Sequence, residues 1–236
     1  MQYYYLKKQK KWVDIFVLTS IACTIKGVRT VNILNGINPT QIKQKNMCES
    51  SETIKLLAVA NVSYWHGFDR IIKGLAEYKG ERKVEFVVVG EGSELNELKR
   101  LVNSYSLEEK VSFRGLKFGE ELDQCFEECS VAVGSLGLHR LGITPSSLKS
   151  REYMARGIPF VMTDTESMEK DSTITSYIHE VQGNDTPVNI DEIVKWVDKM
   201  DMQQASEELR KYAVQHCSWN SQMLKVVDAI REILER

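Results

Sequence analysis

The sequence has no apolar run near the ~18 residues that a membrane-crossing helix needs, and it does not open with the charged and apolar regions of a secretory signal. It has no basic excess: 31 Lys and Arg stand against 33 Asp and Glu, for a net charge of −2. That argues against binding nucleic acid by bulk charge. Its five cysteines, at 23, 48, 125, 129 and 217, show no zinc-type pairing. Cys125 and Cys129 can share a helix face, but no further ligand stands near them. No metal is therefore expected, and the thiols read as reduced, as in a cytoplasmic protein. There is no internal repeat and no low-complexity segment. What remains is an ordinary globular composition, 42% hydrophobic and 27% charged over 236 residues. This is enough for one large domain, or one domain with a fragment of another.

The start, MQYYYLKKQKKW, places three tyrosines, four lysines and Trp12 together. It reads as a solvated surface helix or frayed end, with contact to lipid headgroups as the alternative. From about residue 55 short apolar runs alternate with helical periodicity. Strands are expected at 55–61, 84–92, 110–115, 131–136 and 159–164. Helices are expected at 67–78, 93–105 (with Ser93 as N-cap), 121–129 and 146–157, the last closed by Gly157 with Pro159 beyond. Three amphipathic helices follow at 189–200, 203–217 and 219–234. The alternation predicts an α/β fold: a Rossmann-like doubly wound parallel sheet with a helical C-terminal segment. The loops at 62–67, 90–93, 115–119, 135–147 and 164–168 then form one rim at the carboxyl ends of the strands, where such sheets bind ligands. The polar stretch at 36–52 is the expected boundary, dividing residues 1–50 from 51–236.

Three stretches on that rim carry chemistry. In VVVGEGSEL, Gly90 and Gly92 either let a phosphate approach or make a tight strand–helix turn. Leu95 stands where a third fingerprint glycine would be. In YWHGFDR, Gly67 opens a helix, and His66 and Arg70 either line the rim or pack beneath it. In SSLKSREYMARGIPFV, Ser146 or Ser147 caps a helix whose first amides and dipole favour an anion. Lys149 adds positive charge there, and Glu152 lies one turn on, in reach of sugar or ribose hydroxyls. A solvated charged face is the plain alternative for Lys149, Arg151 and Glu152. The long glycine-containing loop before them, GSLGLHRLGITP, favours a site.

Taken in order, VSYWHG, FVVVGEGSELNELKRLVNSYSLEEKVSFRG, SLKSREYMARGIPFV and the terminal CSWNSQMLKVVDAI resemble the C-terminal, nucleotide-sugar-binding domain of retaining GT-B glycosyltransferases, over about residues 52–234. WVDIFVLTS and VRTVNILNGINP are similar to the last strands and hinge of that family's N-terminal domain, most of which is missing here. The resemblance implies glycosyl transfer from a UDP- or GDP-sugar to a glycan or lipid-linked acceptor in polysaccharide biosynthesis, with no cofactor and no metal. It implies a cytoplasmic location, with peripheral membrane contact as an option. A separate acceptor-binding domain or a homo-oligomer would complete the site. By resemblance, Glu152 holds the ribose, and the amides of Ser147, Leu148 and Lys149 hold the diphosphate. Gly90 and Gly92 let the donor approach, Leu116 and Lys117 border the base, and Gly67, His66 and Arg70 line the donor site. The sequence departs from the family pattern in three places. Thr144 stands where the family's first Glu would fall, and Asn61 and His66 replace its basic pair. Lys149 and Arg140 are left to supply the positive charge, with His66 as a further catalytic candidate. The rival readings are a non-catalytic nucleotide-sugar-binding subunit and an NAD-dependent enzyme. The latter is disfavoured because ANVSYWHG lacks the glycine fingerprint.

Overall fold

The computed structural model describes residues 12–18, 24–25, 27–46, 52–142, 147–163 and 172–235. Six parallel strands form the main sheet: β4 (Thr53–Val59), β5 (Lys83–Val89), β6 (Val111–Phe113), β7 (Val131–Val133), β8 (Phe160–Thr163) and β9 (Ile178–Val181). Their order is β6-β5-β4-β7-β8-β9. The near-continuous apolar runs of β4 and β5 follow from burial on both faces. Leu56, Ala58, Phe86 and Val88 face a layer made with helices α1 (Phe68–Glu77), α2 (Leu95–Ser104) and α5 (Ile190–Val197). Leu57, Val87 and Val89 face the opposite layer, with α3 (Gly119–Glu128), α4 (Leu148–Arg156) and α6 (Met202–His216). The expected doubly wound α/β architecture is therefore present. The order reverses at β4, whose neighbours are β5 and β7, and a crevice for ligands opens at that point of such a sheet.

A second, three-stranded sheet is built from β1 (Ile15–Leu18), β2 (Thr24–Ile25) and β3 (Val28–Asn32), in the order β1-β3-β2. β1 runs parallel and β2 antiparallel to β3. The last helix, α7 (Trp219–Leu234), packs its Val226 and Ala229 on Val31 and Ile33 of this sheet. The chain passes between the two sheets twice at one place. There Ile37 N donates to Cys217 O (2.9 Å) and Trp219 N to Ile37 O (3.1 Å). A side chain at Gly36 would collide with the Trp219 ring, 2.5 Å away.

Several expectations need correction. Residues 37–46 are not a loose boundary segment. Lys45 N donates to Arg156 O, Asn46 N to Glu127 Oε2 and Arg210 to Ile42 O, so their polar groups are held against the larger sheet's helices. The smaller body takes α7 instead, because α7 buries its apolar arc there. Ser93 is not a cap: α2 starts at Leu95 after Glu94, and Ser93 is exposed. The strand read as 131–136 stops at Val133, where the chain turns out to the rim. β9 has no counterpart among the expected strands, since IHEV shows only a weak apolar pattern. Cys125 and Cys129 are core residues, and burial pushes the Cys129 thiol up to about 12. Among the described residues no helix is long and apolar enough to cross a membrane. The tyrosine- and lysine-rich start, except Trp12, lies outside the described residues.

Candidate functional site

The loops after β4, β5, β6 and β7 do form one rim, stitched by backbone hydrogen bonds. Val62 N donates to Glu91 O (2.6 Å), Gly90 N to Gly115 O (2.8 Å) and Leu136 N to His66 O (2.8 Å). Of the fifth rim loop, 164–168, nothing is described.

Much of what looks like a binding site in the sequence holds this rim together. Gly90 (φ 125°) and Gly92 (φ 154°) are glycines because the β4 loop lies against them. A Cβ would sit 1.9 Å from Ala60 O and 2.2 Å from Val62 O, respectively. Their close approach is to the protein's own backbone, as the tight strand–helix turn reading has it. Gly67 (φ 65°) is of the same kind: its Cβ would lie 2.5 Å from Gly137 N. Arg70 does not line the site. It is 1% exposed, and its guanidinium donates to Thr186 O (2.8 Å), Leu136 O (2.6 Å) and Asn184 Oδ1 (3.4 Å). It ties the β7 loop and the 184–186 loop to α1. Arg140 does not offer a loose positive charge either. It forks onto Asp69 (3.0 and 3.1 Å) and also donates to Asp185 (2.7 Å) and Tyr64 O (2.6 Å). Burial alone would raise the Asp69 carboxyl, but hydrogen bonds from Arg140 and Lys73 outweigh it and hold the group below the usual carboxylate range. Sequence reasoning missed this Asp69–Arg140–Asp185 cluster. The only local signal was the Asp69/Lys73 spacing on α1, and nothing marked Asp185.

His66 is buried and stacked on Phe68, with ring centroids 5.3 Å apart. Its Nδ1 lies 3.0 Å from Ser63 N and 3.2 Å from Ser63 O, so the Ser63 backbone holds the ring. Burial, then the nearby Lys149 charge, lower its pKa to about 4 against a weaker backbone contact with Ser63. It is therefore neutral at pH 7.

The N-terminus of α4 is different. Ser147 caps it, its side chain accepting from Lys149 N (3.1 Å), and Gly157 (φ 70°) closes it as expected. Its first turn carries no acid, and Lys149 and Arg151 sit where the helix dipole disfavours cations. Arg151 is 2% exposed and donates to Ser147 O. Lys149 Nζ lies over the Phe68 ring, 5.8 Å from its centre, and close enough to His66 to shift it. α4 thus reaches across to the β4 loop at the topological switch point. Leu148 is exposed at the helix start. Glu152, one turn on, is half-buried, and Arg156 Nε donates to its Oε1 (3.0 Å). Arg156 in turn is fixed by Asp123 (2.7 Å) and the Phe126 face, 4.0 Å from the ring centre. Glu152 is therefore oriented from behind. After β6, Leu116 is exposed and Lys117 pairs with Glu121 (3.0 Å). They stand beside an open cleft of about 600 Å³ lined by Arg114, Lys117, Glu120, Glu121, Gln124 and Cys125. Thr144 lies outside the described residues. Among the described residues, no cluster of His, Cys, Asp and Glu suits a metal ion.

The family model described as glycosyl transferases group 1 matches residues 40–215. The mannosylfructose-phosphate synthase of Agrobacterium fabrum (strain C58) is 32% identical over 117 residues, covering 46% of this chain and 25% of that protein. Anabaena Alr3699/HepE, solved in complex with UDP, superposes with a TM-score of 0.67 at 16% identity, over 86% of this chain and 58% of its own. A glycosyltransferase from Rickettsia africae ESF-5 superposes with a TM-score of 0.69 at 14% identity, over 96% and 73%. The chain thus spans a quarter of the curated relative and little more than half of the Anabaena protein.

Proposed function

The chain belongs to the group 1 glycosyltransferases, and from that membership we propose that it binds a UDP- or GDP-sugar in the β4–β7 crevice. There it supplies the donor half of glycosyl transfer to a glycan or lipid-linked acceptor in polysaccharide synthesis. One observation carries this reading: the α4 N-terminus, whose first turn holds Lys149 and no acidic residue, lies against the start of α1 at the switch point. The diphosphate lies against the open end of α4 near Leu148 and Ser147, with Lys149 neutralising charge that develops on the leaving group. Glu152, held by Arg156, accepts the ribose hydroxyls. Leu116 and Lys117 border the base. The reading calls on the chain's own cation and amides and on no cofactor or metal. The smaller sheet, with α7 packed on it, belongs to the acceptor side, which further polypeptide completes, since positioning the acceptor is what turns a bound donor into a reacting one. The location is cytoplasmic.

Titration calorimetry of the chain with UDP, GDP, ADP and NAD tests this. Binding of UDP or GDP at micromolar Kd, weakened at least tenfold in Glu152→Ala and in Lys149→Met, is expected. No nucleotide bound, or binding indifferent to both substitutions, sinks it.

The second reading is a non-catalytic nucleotide-sugar-binding subunit. It is favoured by the commitment of Arg70 and Arg140 to the framework and by the neutrality of His66. Donor binding with no release of UDP or GDP from the sugar nucleotide, even with acceptor present, would select it.

A further inference from the structure

Arg156, the last residue of α4, is 6% exposed although it carries a full charge. Three groups fix its guanidinium. Nη1 donates to Asp123 Oδ1 (2.7 Å), the guanidinium carbon lies 4.0 Å from the centre of the Phe126 ring, and Nε donates to Glu152 Oε1 (3.0 Å). Asp123 and Phe126 both belong to α3. The same helix, through Glu120, Glu121, Gln124 and Cys125, lines the open cleft beside Lys117. α3 therefore holds Arg156 by one edge and one face, and Arg156 reaches back one turn along α4 to Glu152. An arginine fork facing a single carboxylate closes on both of its oxygens. Here Asp123 takes Nη1, and the Glu152 contact runs from Nε to Oε1, leaving Oε2 outside the ion pair. The Glu152 side chain keeps 34% of its surface exposed.

We infer that Asp123 and Arg156 are positioning residues for the donor's ribose, on the reading of Glu152 as the group that accepts its hydroxyls. Through the Arg156 guanidinium, α3 sets the direction of the Glu152 carboxylate and keeps Oε2 open. Neither Asp123 nor Arg156 contacts the nucleotide. Without Asp123, nothing on α3 holds Nη1, and the fork is free to turn onto both Glu152 oxygens and compete with the ribose. The wall of the base cleft and the ribose contact are thereby set by one helix. The same ion pairs also staple α3 to α4, a role that needs no ligand. The ribose hydroxyls tell the two roles apart, because a staple serves every nucleotide alike.

Titration calorimetry of the whole chain with UDP and GDP, and with the 2′,3′-dideoxy form of each, tests it. The wild-type chain should prefer the full ribose at least tenfold, and Glu152→Ala should abolish that preference. Asp123→Asn keeps the shape of a side chain that is 30% exposed, and Arg156→Lys keeps the charge without the fork. Each should shrink the preference threefold or more while leaving the dideoxy nucleotide bound within twofold of wild type. Placed on Glu152→Ala, neither should weaken UDP or GDP further, since both act through that carboxylate. A preference untouched by both substitutions but abolished by Glu152→Ala would overturn the inference and leave the donor reading standing. Equal weakening of the full and dideoxy nucleotides would overturn it in favour of the staple. A wild-type chain with no preference for the full ribose would remove Glu152 as the ribose contact, and the positioning role with it.

Discussion

The rim has two halves that look alike in sequence and differ in structure. One half comprises the β4 and β7 loops with Gly67, Arg70, Gly90, Gly92 and Arg140. There each glycine faces backbone and each arginine is matched by carbonyls or carboxylates. The other comprises the start of α4 with Ser147, Leu148, Lys149 and Glu152. Its cation is set against the dipole, and its carboxylate is oriented from behind with no acid in the first turn. Glycines and arginines beside a strand end are thus no sign of a ligand in themselves. What decides is whether the protein's own backbone and loops occupy the space beside them. A framework half should respond to substitution in stability, and a receiving half in binding.

The largest effect should come from the framework. Arg70→Met strands the Leu136 and Thr186 carbonyls and should lower urea-unfolding stability by about 3 kcal/mol. A loss under 1 kcal/mol would break the comparison. Acid should separate the halves next. His66 has its pKa lowered to about 4 in the folded protein, so the unfolded chain takes up the proton first. Its contribution is whole above about pH 6.5 and is lost as pH falls toward 4, amounting to about 3 kcal/mol. His179, also lowered by burial, acts in the same direction. Asp69, held below its ordinary range, adds its loss at lower pH. Stability measured between pH 7 and 4.5 should therefore fall, and His66→Asn should flatten the slope without abolishing it. Gly67→Ala forces a Cβ at φ 65° against Gly137 N and should cost about 2 kcal/mol. It can be read from thermal unfolding, and an unchanged midpoint would show that the β7 loop yields. The smallest stability effect belongs to the receiving half. Lys149→Met should change unfolding by no more than about 0.5 kcal/mol while weakening UDP or GDP binding tenfold or more. The reverse pattern would move Lys149 into the framework.

The outcomes of these contrasts divide along what a local pattern can hold. The alternation of apolar runs and helical periodicity determined the parallel sheet, its helices and the position of the rim, since burial on two faces and an amphipathic stripe are written in neighbouring residues. A serine cap at Ser146 or Ser147 and the Gly157 stop of α4 were legible in the same way, each a matter of a few consecutive residues. Only the tertiary structure decided which charges are matched. Arg70 meets Thr186 and Asn184, and Arg140 meets Asp69 and Asp185, across separations with no periodic trace. Only it decided that Gly90 serves Ala60 and Gly67 serves Gly137, because a glycine in sequence announces freedom of φ and not what comes near it. It also gave α7 to the smaller sheet and left half of that helix's apolar face bare. An amphipathic pattern shows that a face must be buried, and the packing of distant elements decides against what.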